Sequence, residues 1–168
     1  MMHSSGDLEA LYRQHALAVF RFALGLCRDR TEAEDIVSEA FARVVTQAHR
    51  IQSATARAYL LTVARNVFLD QKRRSTRDAR ALRDIGHQPP ETAAGFDEQA
   101  RLARALEALG TLPERERSAL LLRLDHGLPY DQIAAALGIS VAAAKVRVHR
   151  ARLRLASARL AGDWEDEG

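Results

Sequence analysis

Two stretches of this sequence concentrate groups that hold polyanions. Residues 57–80 carry seven Lys or Arg against two acids, and residues 141–160 carry six against none. Guanidinium and ammonium groups pair with phosphates and with guanine edges, while an Asn amide offers a base both a donor and an acceptor. In the first stretch Arg65, Asn66, Asp70, Arg73 and Arg74 recur at near-helical steps, most of them on broadly one side. A solvated helix end accounts for those residue types as well as a nucleic-acid surface does. A third segment, residues 31–46, has the opposite sign, with four acids against Arg43 alone. A solvated face is its default reading. It cannot be a third DNA surface, so any partner of Asp35 and Glu39 is a basic protein.

The second basic stretch has a more specific setting. Pro129 opens a short helical pattern that ends at Leu137, and Gly138-Ile139-Ser140 turns the chain. Ser140 is the expected N-cap of a long basic helix over 141–160. Short helix, tight glycine turn and second helix make a helix-turn-helix. Ile133, Leu137, Ile139, Val141 and Val148 are expected to pack the two helices together. Ala142, Ala143, Lys145, Val146, Arg147, His149 and Arg150 are then candidates for the outer surface, where the N-terminal half of such a helix meets base edges.

Other chemistries find little support. His3, His15, His49, His87, His126 and His149 are scattered without metal-ligand spacing. There is no glycine-rich phosphate loop or nucleophile elbow, so an enzyme is disfavoured. Cys27 stands alone, which rules out an internal disulfide and any multi-cysteine zinc site, and it is expected to be a buried, inert thiol. No apolar stretch suits a signal peptide or a membrane span, so a cytoplasmic protein is expected. The balance of charge, +3 with a pI near 9.5, is only mildly basic. Its placement carries the information.

The elements that must position these groups are all helical. Ala, Leu, Arg and Glu dominate, and 9 Gly and 4 Pro leave little room for turns. Leu8, Leu11, Tyr12, His15, Val19, Phe22 and Leu26 mark one amphipathic helix ending near Arg28. Thr31 and Glu34 form a capping-box pattern for a second helix, with Ala33, Ile36, Val37, Ala40, Phe41, Val44 and Val45 as its apolar stripe. Leu60, Leu61, Ala64, Val67 and Phe68 mark a third. Leu102, Leu106 and Leu109, then Leu120, Leu121 and Leu124, mark the helices before the helix-turn-helix, with Pro113 in a first turn. The expected fold is all-α: two small helical domains, residues 7–75 and 98–161, joined by a flexible linker over 76–97 that is helical until about Ile85. The acidic tail after Gly162 is expected to fray, leaving Trp164 mobile.

Taken in order, these motifs resemble a known family. Thr31-Glu32-Ala33-Glu34-Asp35-Ile36-Val37-Ser38-Glu39-Ala40-Phe41 is similar to the polymerase-binding helix of extracytoplasmic-function (ECF) sigma factors of the sigma-70 family. The run from Arg57 through Arg65-Asn66 to Asp70 and Arg73-Arg74 resembles their promoter-melting helix. Leu112-Pro113-Glu114-Arg115-Glu116-Arg117, Gly127 to Ala134 and Gly138 to Arg152 resemble their second DNA-binding domain. The resemblance implies core polymerase contacts, at the β′ clamp and β subunit, through Asp35, Ser38 and Glu39. It implies minus-ten promoter contacts through Arg65, Asn66, Asp70, Arg73 and Arg74, and minus-thirty-five contacts through Ser140, Lys145, Arg147, His149 and Arg150. It further implies restraint by an anti-sigma factor, and neither zinc nor a nucleotide as cofactor.

Departures from the family pattern are local. Ser38 stands where glutamine is usual, Pro129 replaces a serine or threonine cap, Ala142-Ala143-Ala144 is a bland start to the recognition helix, and Val45 sits where tryptophan is common. The competing reading is a one-component helix-turn-helix regulator, which needs a dimerisation or ligand-binding domain that the first half does not suggest.

Overall fold

The computed structural model describes residues 5–47, 56–78 and 95–165, and among them there are seven helices and no strand. They are α1 (Ser5–Cys27), α2 (Arg30–Thr46), α3 (Ala56–Asp78), α4 (Phe96–Gly110), α5 (Glu114–Leu124), α6 (Tyr130–Leu137) and α7 (Val141–Glu165). The chain divides into two compact units, residues 1–91 and 92–168. The fold is all-α with two helical units. α3 runs three residues into the segment expected as linker, and α4 begins two residues before its expected end. Residues 79–94, including the expected helical extension to Ile85, lie outside the described residues.

In the first unit α1, α2 and α3 pack pairwise around one core. Val19, Phe22 and Leu26 of α1, Ala33, Ile36, Ala40 and Val44 of α2, and Leu60, Leu61, Ala64 and Val67 of α3 are buried. These positions follow the three- and four-residue steps of the sequence pattern. Val45 continues the four-residue steps 37, 41, 45 and was expected in the stripe, but it is exposed near the C-terminal end of α2. Tyr12 lies at the rim, half-exposed, with its ring edge-on to Phe41 at a centroid distance of 4.9 Å. His15 is partly buried, and burial together with the nearby Arg57 charge pushes its pKa below the ordinary histidine value.

The start of α2 differs from expectation. Its N-cap is Asp29, not Thr31: the Asp29 Oδ1 accepts from Glu32 N at 2.9 Å. Arg28 explains the shift. It takes a left-handed φ of 60° and donates its N–H to Leu24 O, which ends α1 and leaves Asp29 extended. A carboxylate at that place also suits the positive end of the helix dipole. Glu34, expected to reach back to the cap, instead pairs with Arg30. Cys27 is buried and donates to Asp29 O, and burial pushes its thiol pKa up to about 12.

In the second unit α5, α6 and α7 pack together, and Leu112, Leu122, Ile133, Ala144, Val148 and Ala151 form the centre. α4 contributes Leu106 to the buried set, with Leu102 and Leu109 half-buried. Leu124 was expected to continue the stripe but is 58% exposed, because α5 ends there and the chain turns through Asp125 and Gly127. Pro113 is an N-cap rather than a first-turn residue, and Pro129 is the N-cap of α6 as its place in the pattern implied; neither makes a side-chain capping bond. Behind α7, Glu116 is buried and its Oε2 lies 2.8 Å from Arg154 Nε. The α7 backbone stays helical through Glu165, past the expected fraying point, since a single glycine weakens a helix by about 1 kcal/mol without ending it.

Candidate nucleic-acid interface

The short helix α6 is held between two left-handed glycines, Gly127 (φ 64°) and Gly138 (φ 65°). At its C-terminus Ile139 N bonds to Ala134 O at 3.0 Å and Gly138 N to Ala135 O at 3.3 Å. This double closure satisfies carbonyls that would otherwise lack partners. Two residues later Ser140 caps α7: its Oγ accepts from Ala143 N at 3.1 Å and its carbonyl from Ala144 N at 3.0 Å. The backbone therefore sets the turn between the two helices.

α7 presents a buried strip and an outer one. Ala144, Val148 and Ala151 face the unit's core, while Ala142, Lys145, Val146, His149 and Arg150 are exposed. Arg147 is half-buried at the flank, so it turns outward less than its neighbours. Val141, expected to pack against α6, is partly exposed, because the Ser140 cap leaves it at the mouth of the turn. Tyr130 is a residue that sequence reasoning missed. Its ring lies between Arg123, with Cζ 4.5 Å from the centroid, and Lys145, with Nζ 5.7 Å away. Two cations thus share one aromatic ring at the start of α6.

In the first unit α3 places Asn66, Arg73 and Arg74 in solvent, with Arg65 and Asp70 half-buried. The Asp70 carboxylate is already engaged. Arg43 Nη1 of α2 donates to Asp70 Oδ2 at 2.9 Å, and Arg43 Nε donates to Glu39 Oε1 at 3.0 Å. Arg73 Nη1 lies 3.8 Å from Asp70 Oδ1. The four charges alternate from the outer face of α2 to that of α3. Asp70 and Glu39 together hold the Arg43 guanidinium pKa above its ordinary value. Sequence reasoning saw Arg43 only as a lone base among acids. No local spacing links it to Asp70, 27 residues away.

Asp35, Ser38 and Glu39 are exposed along one face of α2, at three- and four-residue steps. The two aromatics near the basic helix do not form an open stacking surface. Phe68 is buried under Lys72, and the Tyr59 hydroxyl donates to Gln47 Oε1 at 2.7 Å. Among the described residues no group of three or more His, Cys, Asp or Glu is placed to hold a metal ion, and no helix is long and apolar enough to cross a membrane.

A three-helix unit with an acidic and a basic face, followed by a unit ending in a helix-turn-helix, defines a helical DNA-binding protein of two modules. Residues 11–78 match the family description Sigma-70 region 2, and residues 102–155 match Sigma-70, region 4. The chain is similar to the ECF RNA polymerase sigma factor SigL of Mycobacterium tuberculosis. The two are 35% identical over 152 residues, covering 86% of this chain and 84% of SigL. It is also 35% identical over 152 residues to the ECF RNA polymerase sigma factor SigE of Mycolicibacterium smegmatis, covering 88% of this chain but only 59% of that longer relative. Among solved structures it is similar to the sigma factor RpoE of Bartonella quintana, determined in complex with the anti-sigma factor NepR. The TM-score there is 0.74 at 26% identity, covering 89% of this chain and 94% of that one. CnrH, solved in complex with the cytosolic domain of CnrY, gives a TM-score of 0.72 at 25% identity, covering 95% of this chain and 91% of that one. The chain belongs to the ECF RNA polymerase sigma factors, a family of transcription initiation factors rather than enzymes.

Proposed function

We propose that this chain acts in the cytoplasm, where it directs core RNA polymerase to promoters and starts transcription without catalysing a reaction itself. The second unit (expected span 98–161) reads the minus-thirty-five element as duplex, with Lys145, Arg147, His149 and Arg150 toward the DNA and Ser140 holding the helix start. The first unit (expected span 7–75) opens and captures the minus-ten element, with Asn66, Arg65, Arg73 and Arg74 toward the nucleic acid. Asp70 serves there as the anchor of Arg43 and Arg73, since its carboxylate repels phosphate and is engaged by Arg43. Asp35, Ser38 and Glu39 meet basic residues of the polymerase β′ clamp, and the β subunit completes the contact with core. The observation that carries this reading is the Ser140-capped helix α7, whose exposed Lys145, His149 and Arg150 stand opposite its packed face.

An anti-sigma factor restrains the chain, a reading supported by the structural relative RpoE having been solved with the anti-sigma factor NepR, and the acidic and apolar side of the first unit is the surface proposed for it. Each module alone grips DNA weakly, and polymerase gains affinity by holding both at a fixed spacing. The test is transcription in vitro with core polymerase and genomic fragments. Specific start sites are expected, with Arg150→Ala lowering use of the upstream element about tenfold or more and Asp35→Ala weakening core binding. Tight, specific promoter binding by the free chain, or no specific transcripts with core, overturns the reading.

A further inference from the structure

The first two turns of α7, which open the part that meets base edges, are poor in free hydrogen-bonding side chains. The Ser140 oxygen is engaged by Ala143 N at the cap. The Lys145 ammonium leans back over Tyr130. Arg147 lies half-buried on the flank. What projects outward between Lys145 on one side and Arg150 on the other is an apolar ridge, Ala142 followed one turn later by Val146, which is 45% exposed. His149 comes only in the next turn. Cations on both flanks of a ridge match the two phosphate walls of a major groove and bring the ridge to its floor. On that floor the one feature of a base pair that an apolar side chain can distinguish is the thymine 5-methyl group.

We infer that Val146, supported by Ala142, is a specificity-determining residue that reads a thymine 5-methyl group in the upstream promoter element. This rests on the proposal that α7 enters the major groove there. It commits the bases opposite the first two turns of α7 to an A·T pair recognised by shape and methyl contact rather than by a bidentate hydrogen bond.

The experiment uses the full chain assembled with core polymerase. Upstream elements are first selected by that holoenzyme from a random-sequence pool, and each thymine of the selected duplex is then replaced singly by deoxyuridine, which lacks only the methyl. The wild type is expected to lose about three- to fivefold in promoter affinity at one or two thymines. Val146→Ala is expected to lose a similar factor on thymine DNA and to be indifferent to uracil at that same position. Val146→Thr, which keeps a methyl at the same place, is expected to retain the discrimination. Because Val146 is exposed, neither change touches the packed face of α7. Insensitivity of the wild type at every thymine overturns the inference, as does discrimination that Val146→Ala leaves intact. A scrambled upstream element separates this outcome from failure of the broader reading. If scrambling costs nothing, α7 does not read that element at all; if it costs affinity while uracil does not, only the methyl contact is refuted.

Discussion

Arg43 and Asp70 offer the sharpest test of how the first unit is held together. The two side chains are 32% and 36% exposed and meet at 2.9 Å across α2 and α3. At an effective dielectric constant of about 20 the bare attraction at contact distance is about 4 kcal/mol. Solvent screening and the ordering of a long guanidinium chain remove most of it, leaving a coupling of about 0.5–1 kcal/mol. Arg43→Ala loses more than this, because the aliphatic stem also packs and the Glu39 bond goes with it. A total of about 1–1.5 kcal/mol lowers the melting point of a unit this size by roughly 4–12 °C. A double-mutant cycle of Arg43→Ala and Asp70→Ala isolates the coupling. Two linked units need not unfold in one step, so the readout is amide hydrogen exchange of α2 and α3 in the full chain. The coupling should shrink in about 1 M salt. Asp70→Asn should lower stability while leaving promoter affinity of the holoenzyme unchanged or raised, because it removes a negative charge beside Arg73. A coupling near zero refutes the strut, and a loss of promoter affinity as large as that of Asn66→Ala makes Asp70 a DNA contact instead.

Three further outcomes are expected. The folded-state pKa of His15 is depressed below its unfolded value of 6.5, so the unfolded chain binds the proton more readily. The associated stability is present above about pH 6.5 and is lost as pH falls through the folded pKa; His15→Gln should flatten the decline expected in thermal melts as pH falls below about 6.5. The Cys27 thiol, with its pKa near 12, should resist an aromatic disulfide reagent in the native chain at pH 8 and react fully in denaturant; rapid native labelling contradicts its burial. Gly138→Ala meets no atom within 4 Å, so its cost is the left-handed backbone alone. About 1–2 kcal/mol is expected by urea denaturation, with Gly138→Asn costing less.

Patterns with a short period were legible in the sequence. The apolar steps marked every buried strip of the first unit, and the Gly138-Ile139-Ser140 turn announced itself because left-handed backbone and N-capping each demand particular residue types. Features decided by competition or by distance were not. Both Asp29 and Thr31 can cap a helix, and only the left-handed Arg28 before them selects Asp29. Val45 and Leu124 satisfy the apolar pattern, yet each sits in the last turn of its helix and is exposed. Within the candidate site the exposed residues of α7 were predicted as a set. The stacking of Lys145 and Arg123 on Tyr130, the burial of Glu116 against Arg154 and the Arg43–Asp70 bridge join residues on different helices, and no spacing rule encodes such pairs.

The way α6 is suspended between Gly127 and Gly138 has an evolutionary consequence. The angle at which α7 leaves the turn rests on the Gly138 torsion, a few main-chain bonds and the Ser140 cap, none involving the outward side chains of α7. Apart from Lys145, which rests on Tyr130, those residues are therefore interchangeable without retuning the scaffold. A lineage can acquire a new regulon by single surface replacements, and two duplicated copies can diverge in the genes they switch on while remaining the same machine underneath.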